Sequence, residues 1–499
     1  MTAAPPPCPP SRSDHTARRA SQGIGGPWGR YAATLGWWTP LRVLLALVAV
    51  TLVLAYLQKS PCADGAWTGS KQYTHACYSD VLPLWSAEHL DTGAVPYRDQ
   101  AVEYPVLTGG FMWLTAGITH GVSGAIKSIS PVQLFGIVTA FLLAACGLLV
   151  AAGTAGASRR RPYDAAIFAL SPLLVFHAFS NWDLLAMAFT SCALWAWARS
   201  RPVAAGVLIA LGTSAKLYPV LLLVPIVLLA LRTARVREAA WAVVSATFAW
   251  LAVNLPIAIA YPHGWSEFYR FSADRVAEAS TFWYMGHYLR TVGWFGPGYD
   301  SGWKPPGYAV ALLCVGAVGV VFALGALAPA RPRMGQLVFL VVLAFLLSTK
   351  VWSPQYSLWL VPLVALARPR WRITLLWQFS EIMVWIMTLL WLLGGDSHGI
   401  DYGWLMITLL VRDGFLVAIA VLVVREMWHP ERDAVRAAGF DDPCGGPFDG
   451  APDRPWRQWQ SELDRWAAPG DFAGPPGGAA DDGADDAARR EIWAQPAVG

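Results

Sequence analysis

The sequence predicts an all-α polytopic membrane protein, on three observations. The 499-residue chain is 55% hydrophobic and only 14% charged, whereas a soluble protein carries about 25% charged residues. It holds 27 Trp, whose apolar ring and wet N–H suit the membrane–water interface. Apolar runs recur near 39–58, 131–154, 164–180, 183–198, 203–215, 217–231, 239–260, 306–328, 335–349, 355–367, 373–393 and 402–424, which makes about 12 transmembrane helices.

The first run, 39–58, contains no acid and is long enough to span. Residues 1–38 contain Pro and Arg but no early apolar core. No cleavable signal peptide is expected there, and they read as a disordered cytoplasmic tail. The formal charge of +4 is split: residues 431–499 carry 14 Asp/Glu and seven Arg, a net −7. Rich in Gly, Pro, Ala and Asp, this segment reads as a disordered acidic cytoplasmic tail. Its Trp456, Trp459 and Trp466 are a candidate for a short binding helix. The membrane domain is then 39–430.

Threading the runs alternately puts five connections on one side, with Arg159, Arg160, Arg161, Arg199, Arg201, Arg232, Arg235, Arg237, Arg331, Arg333, Arg368, Arg370 and Arg372. The positive-inside rule places that side and both termini in the cytoplasm of a cell whose plasma membrane the chain crosses. This requires that 105–119, "PVLTGGFMWLTAGIT", not span. Fifteen residues rise only about 22 Å as a helix, against a core of about 30 Å, so the stretch reads as a re-entrant or interfacial helix. Two long segments, 59–130 and 261–305, then face outward, rich in Trp, Tyr, Phe and Leu. In "WSEFYRFSADRVAEA", Trp265, Phe268, Tyr269 and Val276 fall at helical spacing, which predicts an amphipathic helix on the membrane. Of seven Cys, only Cys62 and Cys77 lie in these segments. An oxidising exterior favours a bridge between them, with two free thiols as the alternative.

The first outer segment carries Asp80, Glu88, Asp91, Asp99 and Glu103. Asp91 precedes Thr-Gly and fits turn chemistry. Glu88 fits a solvated face. Asp99 and Glu103 precede the short helix and fit its N-terminal dipole. Asp80, in "CYSDVLPLW", has a helix-start reading too, but its apolar neighbours draw it to the membrane surface, where an acid is a functional candidate. Lys216 in "TSAKLYPVLLLVP" and Lys350 in "LSTKVWSPQYSLWLVP" each end a short apolar run on the outer side. A Lys there suits a phosphate at headgroup depth; the plainer reading is snorkelling to water. Asn181 and Asp183 sit at a tight outer junction and fit helix capping. Arg270, Asp274, Arg275 and Glu278 lie on the polar side of the amphipathic helix, and one Arg is a candidate to turn inward toward an anion. His263 and His287 are lone outer histidines, weak candidates for acid–base or phosphate roles. Glu381, Arg412 and Asp413 lie deep in spans and need partners; pairing of Arg412 with either acid reads as a structural lock. The sequence contains no phosphate loop, dinucleotide fingerprint, HExxH motif or zinc spacing. No cofactor, metal site or nucleic-acid partner is expected.

Taken together, "GAVPYRDQAVEYPVLTG", "NWDLLAMAF", "AKLYPVLLL" and "KVWSPQYSLWLVPL" resemble glycosyltransferase family 87, known from actinobacterial membranes, over roughly Leu41 to Val424. The resemblance implies a GT-C-type fold with its active site on the extracytoplasmic face. It implies inverting transfer of a sugar, mannose or another hexose or pentose, from a polyprenyl-phosphate donor to a lipid or glycan hydroxyl. It places a catalytic acid in the first outer loop, where Asp80 stands. Asp80 is then the general base, with Glu103, Asp99 and Asp183 as secondary acids for the acceptor. Lys216, Lys350, Arg270, Arg275 and His287 are candidates for the donor phosphate. "YSDVLPLW" departs from the mannosyltransferase pattern, in which the Asp is followed by a polar pair and Tyr; this leaves sugar and acceptor open. The alternative is a polytopic transporter or flippase of cell-envelope precursors. A transporter places its polar site near the midplane between repeated halves, whereas here acids and aromatics concentrate in two asymmetric outer segments.

Overall fold

The computed structural model describes residues 38–65, 67–294, 302–394 and 397–454. The expected N-terminal tail up to residue 37 and the Trp456, Trp459 and Trp466 helix lie outside them. Helices dominate, and no strand occurs among the described residues.

Among the described residues, six helices are long and apolar enough to cross a membrane. They are α1 (Pro40–Lys59), α4 (Pro131–Ala157), α8 (Val236–Ala260), α11 (Gly307–Leu327), α14 (Trp371–Leu393) and α15 (Tyr402–Trp428). Between α1 and α4 lie the short α2 (Val81–Ala87) and α3 (Val106–Ser123). Four shorter apolar helices form the middle of the body: α5 (Asp183–Ala198), α6 (Pro202–Ala215), α12 (Met334–Ser348) and α13 (Ser357–Ala367), while α7 (Leu223–Thr233) follows α6. α9 (Pro262–Asp274) and α10 (Phe282–Thr291) fill the second outer segment. The apolar run 164–180 is broken: Pro162–Ala165, Ala166–Ala169 and Pro172–His177 form short turns separated at Leu170 and Ser171.

Length and burial go together. Every residue of α13 is buried, although its 11 residues rise only about 16 Å. A helix enclosed by protein need not match the bilayer; a lipid-facing one must. α8 and α11 accordingly bury few residues: Ala239, Ala242, Ala246 and Asn254 in α8, and Val321 and Gly325 in α11. The short central helices leave room at one end. α5 and α13 begin there and run to Arg199 and Arg368; α6 and α12 begin at Arg201 and Arg333 and end there, just before Lys216 and Lys350.

The opposite, arginine-bearing end corrects one boundary. Residues 431–454, read from composition as part of a disordered tail, are folded against it. The Arg333 guanidinium is paired with Asp433 in a fully buried bridge. Arg232 grips Asp453 through two nitrogens (3.0 and 2.7 Å), Arg331 pairs with Asp441, and Arg159 with Asp449 (3.1 Å). Asp442 accepts the Met334 N–H at the start of α12 (2.8 Å). Trp197 donates to the Gly445 carbonyl (2.9 Å) and packs on Phe448. Composition hides this because the segment's acids are matched to arginines scattered over the connections.

Deeper in the body, Arg412 is bonded to Asp413 (2.8 Å) and the Ser280 carbonyl (2.8 Å) and lies 4.0 Å over the Trp352 ring. Glu381 accepts from Trp377 instead (3.0 Å).

Candidate active site

The short central helices end around a cavity of about 670 Å³. Its walls come from five parts of the chain. Tyr78, Asp80, Pro83 and Leu84 line it from the first outer segment, and Glu103, Tyr104 and Pro105 from the approach to α3. Asn181 and Lys216 come from the ends of α5 and α6, with Tyr356 and Trp359 from α13. Phe268, Phe271 and Arg275 come from α9 and the residue after it, and Lys350 follows α12. The fifth wall is apolar: Gly307, Val310, Ala311 and Cys314 recur at helical spacing on the membrane-length α11.

Asp80 is fixed from both sides. Ser79 donates to the Phe179 carbonyl (2.7 Å), and the next residue, Asp80, lines the cavity. The Asp80 N–H is bonded to the Ser180 carbonyl (2.8 Å). One carboxylate oxygen accepts from the Tyr78 hydroxyl (2.8 Å), the other from the Asn181 amide (2.8 Å). Burial, and then the Asp80 charge, push the Tyr78 pKa well up, so its hydroxyl stays a donor. Three residues before Asp80 a Cys62–Cys77 disulfide ties the segment to the end of α1, with Cα atoms 5.7 Å apart.

The cations differ in what already holds them. Lys216 lies 3.4 Å from the buried Asp183 and over the Tyr356 and Tyr104 rings (4.9 and 5.5 Å). Asp183 also accepts from Trp359 (2.8 Å); it stands behind Lys216 and is not a wall residue. Arg275 is paired with Glu278 (2.7 Å), which also accepts from Ser353 (2.7 Å). Lys350 donates to the Ala273 carbonyl (2.7 Å). Burial pulls the Lys350 pKa down, and Lys304 and Arg275 add to the effect, so positive groups crowd here. Glu103 has its pKa raised, first by burial and also by Asp80, against the opposing pull of Arg275.

Three sequence candidates lie away from the cavity. Asp99 is exposed and forks onto Arg98. Arg270 is exposed and bonded to Glu267 (2.9 Å) and the His263 carbonyl. His287 stacks on Trp303 at 4.4 Å. α9 stops at Asp274, so Val276 falls beyond the predicted amphipathic helix. Conversely, Tyr78, Asn181, Tyr104 and Glu278 reach the site without having been singled out for it. The signal for Asn181 was present in "FSNWDLL", but capping explained it equally well. Among the described residues no group of three His, Cys, Asp or Glu is placed to hold a metal ion.

The helical body with several membrane-length apolar helices is that of a multi-pass membrane protein, with a large cavity polar on one side and lined by a spanning-length helix on the other. Residues 124–354 match the model of glycosyltransferase family 87, and the resemblance read from the sequence holds there. The match points to a membrane glycosyltransferase. Asn181, Lys216, Arg275 and Lys350 fall inside the matched stretch; Asp80 and Glu103 precede it. No curated protein matches the chain.

Proposed function

We propose that this membrane glycosyltransferase transfers a sugar from a polyprenyl-phosphate donor to a hydroxyl of a lipid or glycan, on the extracytoplasmic side, with inversion. The observation that carries the reading is the position of Asp80. A carboxylate anchored on both oxygens faces a cavity whose far walls hold Arg275 and Lys350 and whose apolar wall is a spanning helix. A lipid-linked sugar needs those three surfaces at once. Its chain lies along α11 beside Phe345 and Phe271, its phosphate meets the cations, and its anomeric carbon comes within reach of an acceptor held at Asp80.

In the reaction, Asp80 takes the proton of the acceptor hydroxyl as its oxygen forms the bond to the anomeric carbon. The bond from that carbon to the phosphate oxygen breaks, and the electron pair leaves with the phosphate. Lys350, which is bonded to a carbonyl, is the main counter-charge for the departing group. Arg275 and Lys216, already paired with Glu278 and Asp183, each add less. Glu103 lies where it can hold a second acceptor hydroxyl. The arginine-rich connections lie at the opposite ends of the same helices, which fits a cavity on the outer side.

The test is a transfer assay with radiolabelled polyprenyl-phosphate sugars on purified protein. Asp80→Asn keeps size but cannot act as a base near neutral pH. It should lose transfer by about 10²–10⁴-fold while still binding donor. Activity within about threefold of the parent would remove Asp80 from the mechanism.

A further inference from the structure

We propose that Asn181 is the positioning residue of the catalytic carboxylate: its amide nitrogen aims Asp80. This rests on Asp80 being the general base.

The orientation of the Asn181 amide follows from its partners. Its oxygen accepts the Trp182 N–H (2.6 Å), which only an oxygen can do. Its nitrogen meets two acceptors, an Asp80 oxygen (2.8 Å) and the Tyr104 hydroxyl oxygen (2.9 Å). All three polar bonds are satisfied in a side chain that is 3% exposed. The amide is therefore locked, with one N–H given to the carboxylate. A base must be held within hydrogen-bond reach of its proton. The Asn181 N–H supplies that hold. A residue serving only as a cap would use its oxygen and leave its nitrogen to water.

The other groups facing Asp80 come from every neighbouring element. Tyr78 donates to the second oxygen. Lys59, at the end of α1, acts by charge and spends its ammonium on the Tyr78 carbonyl. Glu103 before α3, Asp183 in α5 and Lys216 after α6 act by charge alone, and Tyr104, a neutral phenol, accepts from Asn181. Among the described contacts, Asn181 is the donor to this oxygen.

Asn181→Asp separates the two roles. It keeps an oxygen for the Trp182 N–H. It replaces the donor by a second carboxylate oxygen against Asp80, so one proton is shared and the pair's apparent pKa rises. The acidic limb of the kcat–pH profile should move up by about one unit or more. Near pH 6 kcat should fall at least about tenfold, recovering as pH rises, with KM for the donor within about threefold. Asn181→Ala, which removes the donor to Asp80 and the acceptor of the Trp182 N–H together, should lower kcat. Parental kcat and pH profile in either folded variant would overturn the proposal. Failure of both to yield monodisperse protein would overturn it too, since Asn181 would then be a folding residue. Asp80→Asn is run alongside. If it keeps activity, the base assignment falls; if it is inactive while Asn181→Asp behaves as the parent, only the role of Asn181 falls.

Discussion

Asp80 and Glu88 are carboxylates eight residues apart, at the two ends of α2, and their surroundings assign them different work. Asp80 faces the cavity with a donor on each oxygen. Glu88 is 6% exposed and faces inward, where burial, reinforced by the Glu103 charge, pushes its pKa up from 4.5 to about 7. A carboxyl whose folded pKa is raised stays protonated while the unfolded chain already gains by ionising. Folding is therefore penalised progressively as pH rises from about 4.5 to about 7, and the penalty is constant above that. Glu88→Gln should remove this part of the pH dependence, with a thermal midpoint in detergent that gains most over the parent above pH 7 and is nearly unchanged at pH 4. A variant whose midpoint falls in parallel with the parent across that window would show that Glu88 is not the group responsible.

At the scale of elements, α9 is placed by a close backbone approach. Gly264 packs against the Tyr97 carbonyl so tightly that a Cβ there would overlap it. Tyr97 itself adopts a positive φ of 71°. That turn sends its hydroxyl to the Tyr104 and Pro105 carbonyls (3.1 and 2.8 Å). One contact thus couples the start of α9 to the loop leading into α3, and so Phe268, Phe271 and Arg275 to Glu103 and Tyr104. Gly264→Ala should cost about 1–3 kcal/mol by overpacking and raise KM for the donor several-fold. Gly286, on α10, offers the contrast: a Cβ there meets nothing within 4 Å. Gly286→Ala should be neutral or stabilise by about 0.5–1 kcal/mol. Thermal midpoints of the two variants side by side check the assignment; equal effects would mean that the approach at Gly264 is not limiting.

For the whole molecule, the segment 431–454 is the counterpart of the arginine face. It joins α12 through Asp433 and Asp442, the end of α7 through Asp453, and α5 through Gly445 and Phe448. The Arg333–Asp433 bridge is the most enclosed of these contacts; Arg333 also donates to the Leu366 and Ala367 carbonyls at the end of α13. Removing one partner of such a pair leaves a buried charge, at a cost of about 3–5 kcal/mol. Asp433→Ala, or a chain ended after Pro430, should lower the thermal midpoint and the yield of monodisperse protein. A chain ended after Arg454 should match the full-length protein in both. If the chain ended after Pro430 is as stable as the parent, the segment is only a passenger.

Much of this protein is legible in its sequence because the governing constraint is local. A bilayer demands apolar runs of fixed length and keeps arginines at one end of them, and both can be counted along the chain. The short runs ending in Lys216 and Lys350 were readable for the same reason, and both lysines line the cavity. What needed the tertiary structure was which polar groups meet. Asp80 and Asn181 are separated by 101 positions and Asp183 and Trp359 by 176. Only the packing of α5 between its neighbours decides that Asp80 and Asn181 face the cavity while Asp183 stands behind it, reached by the wall residue Trp359. Spacing placed Arg270 and Arg275 on one helix face; the helix ends at Asp274, so Arg270 stays on the surface while Arg275 reaches the wall. The acidic C-terminal segment is the clearest case. Its composition speaks for disorder because composition counts only the apolar surface a segment can bury by itself. Its order comes from arginines held in place by helices elsewhere in the chain.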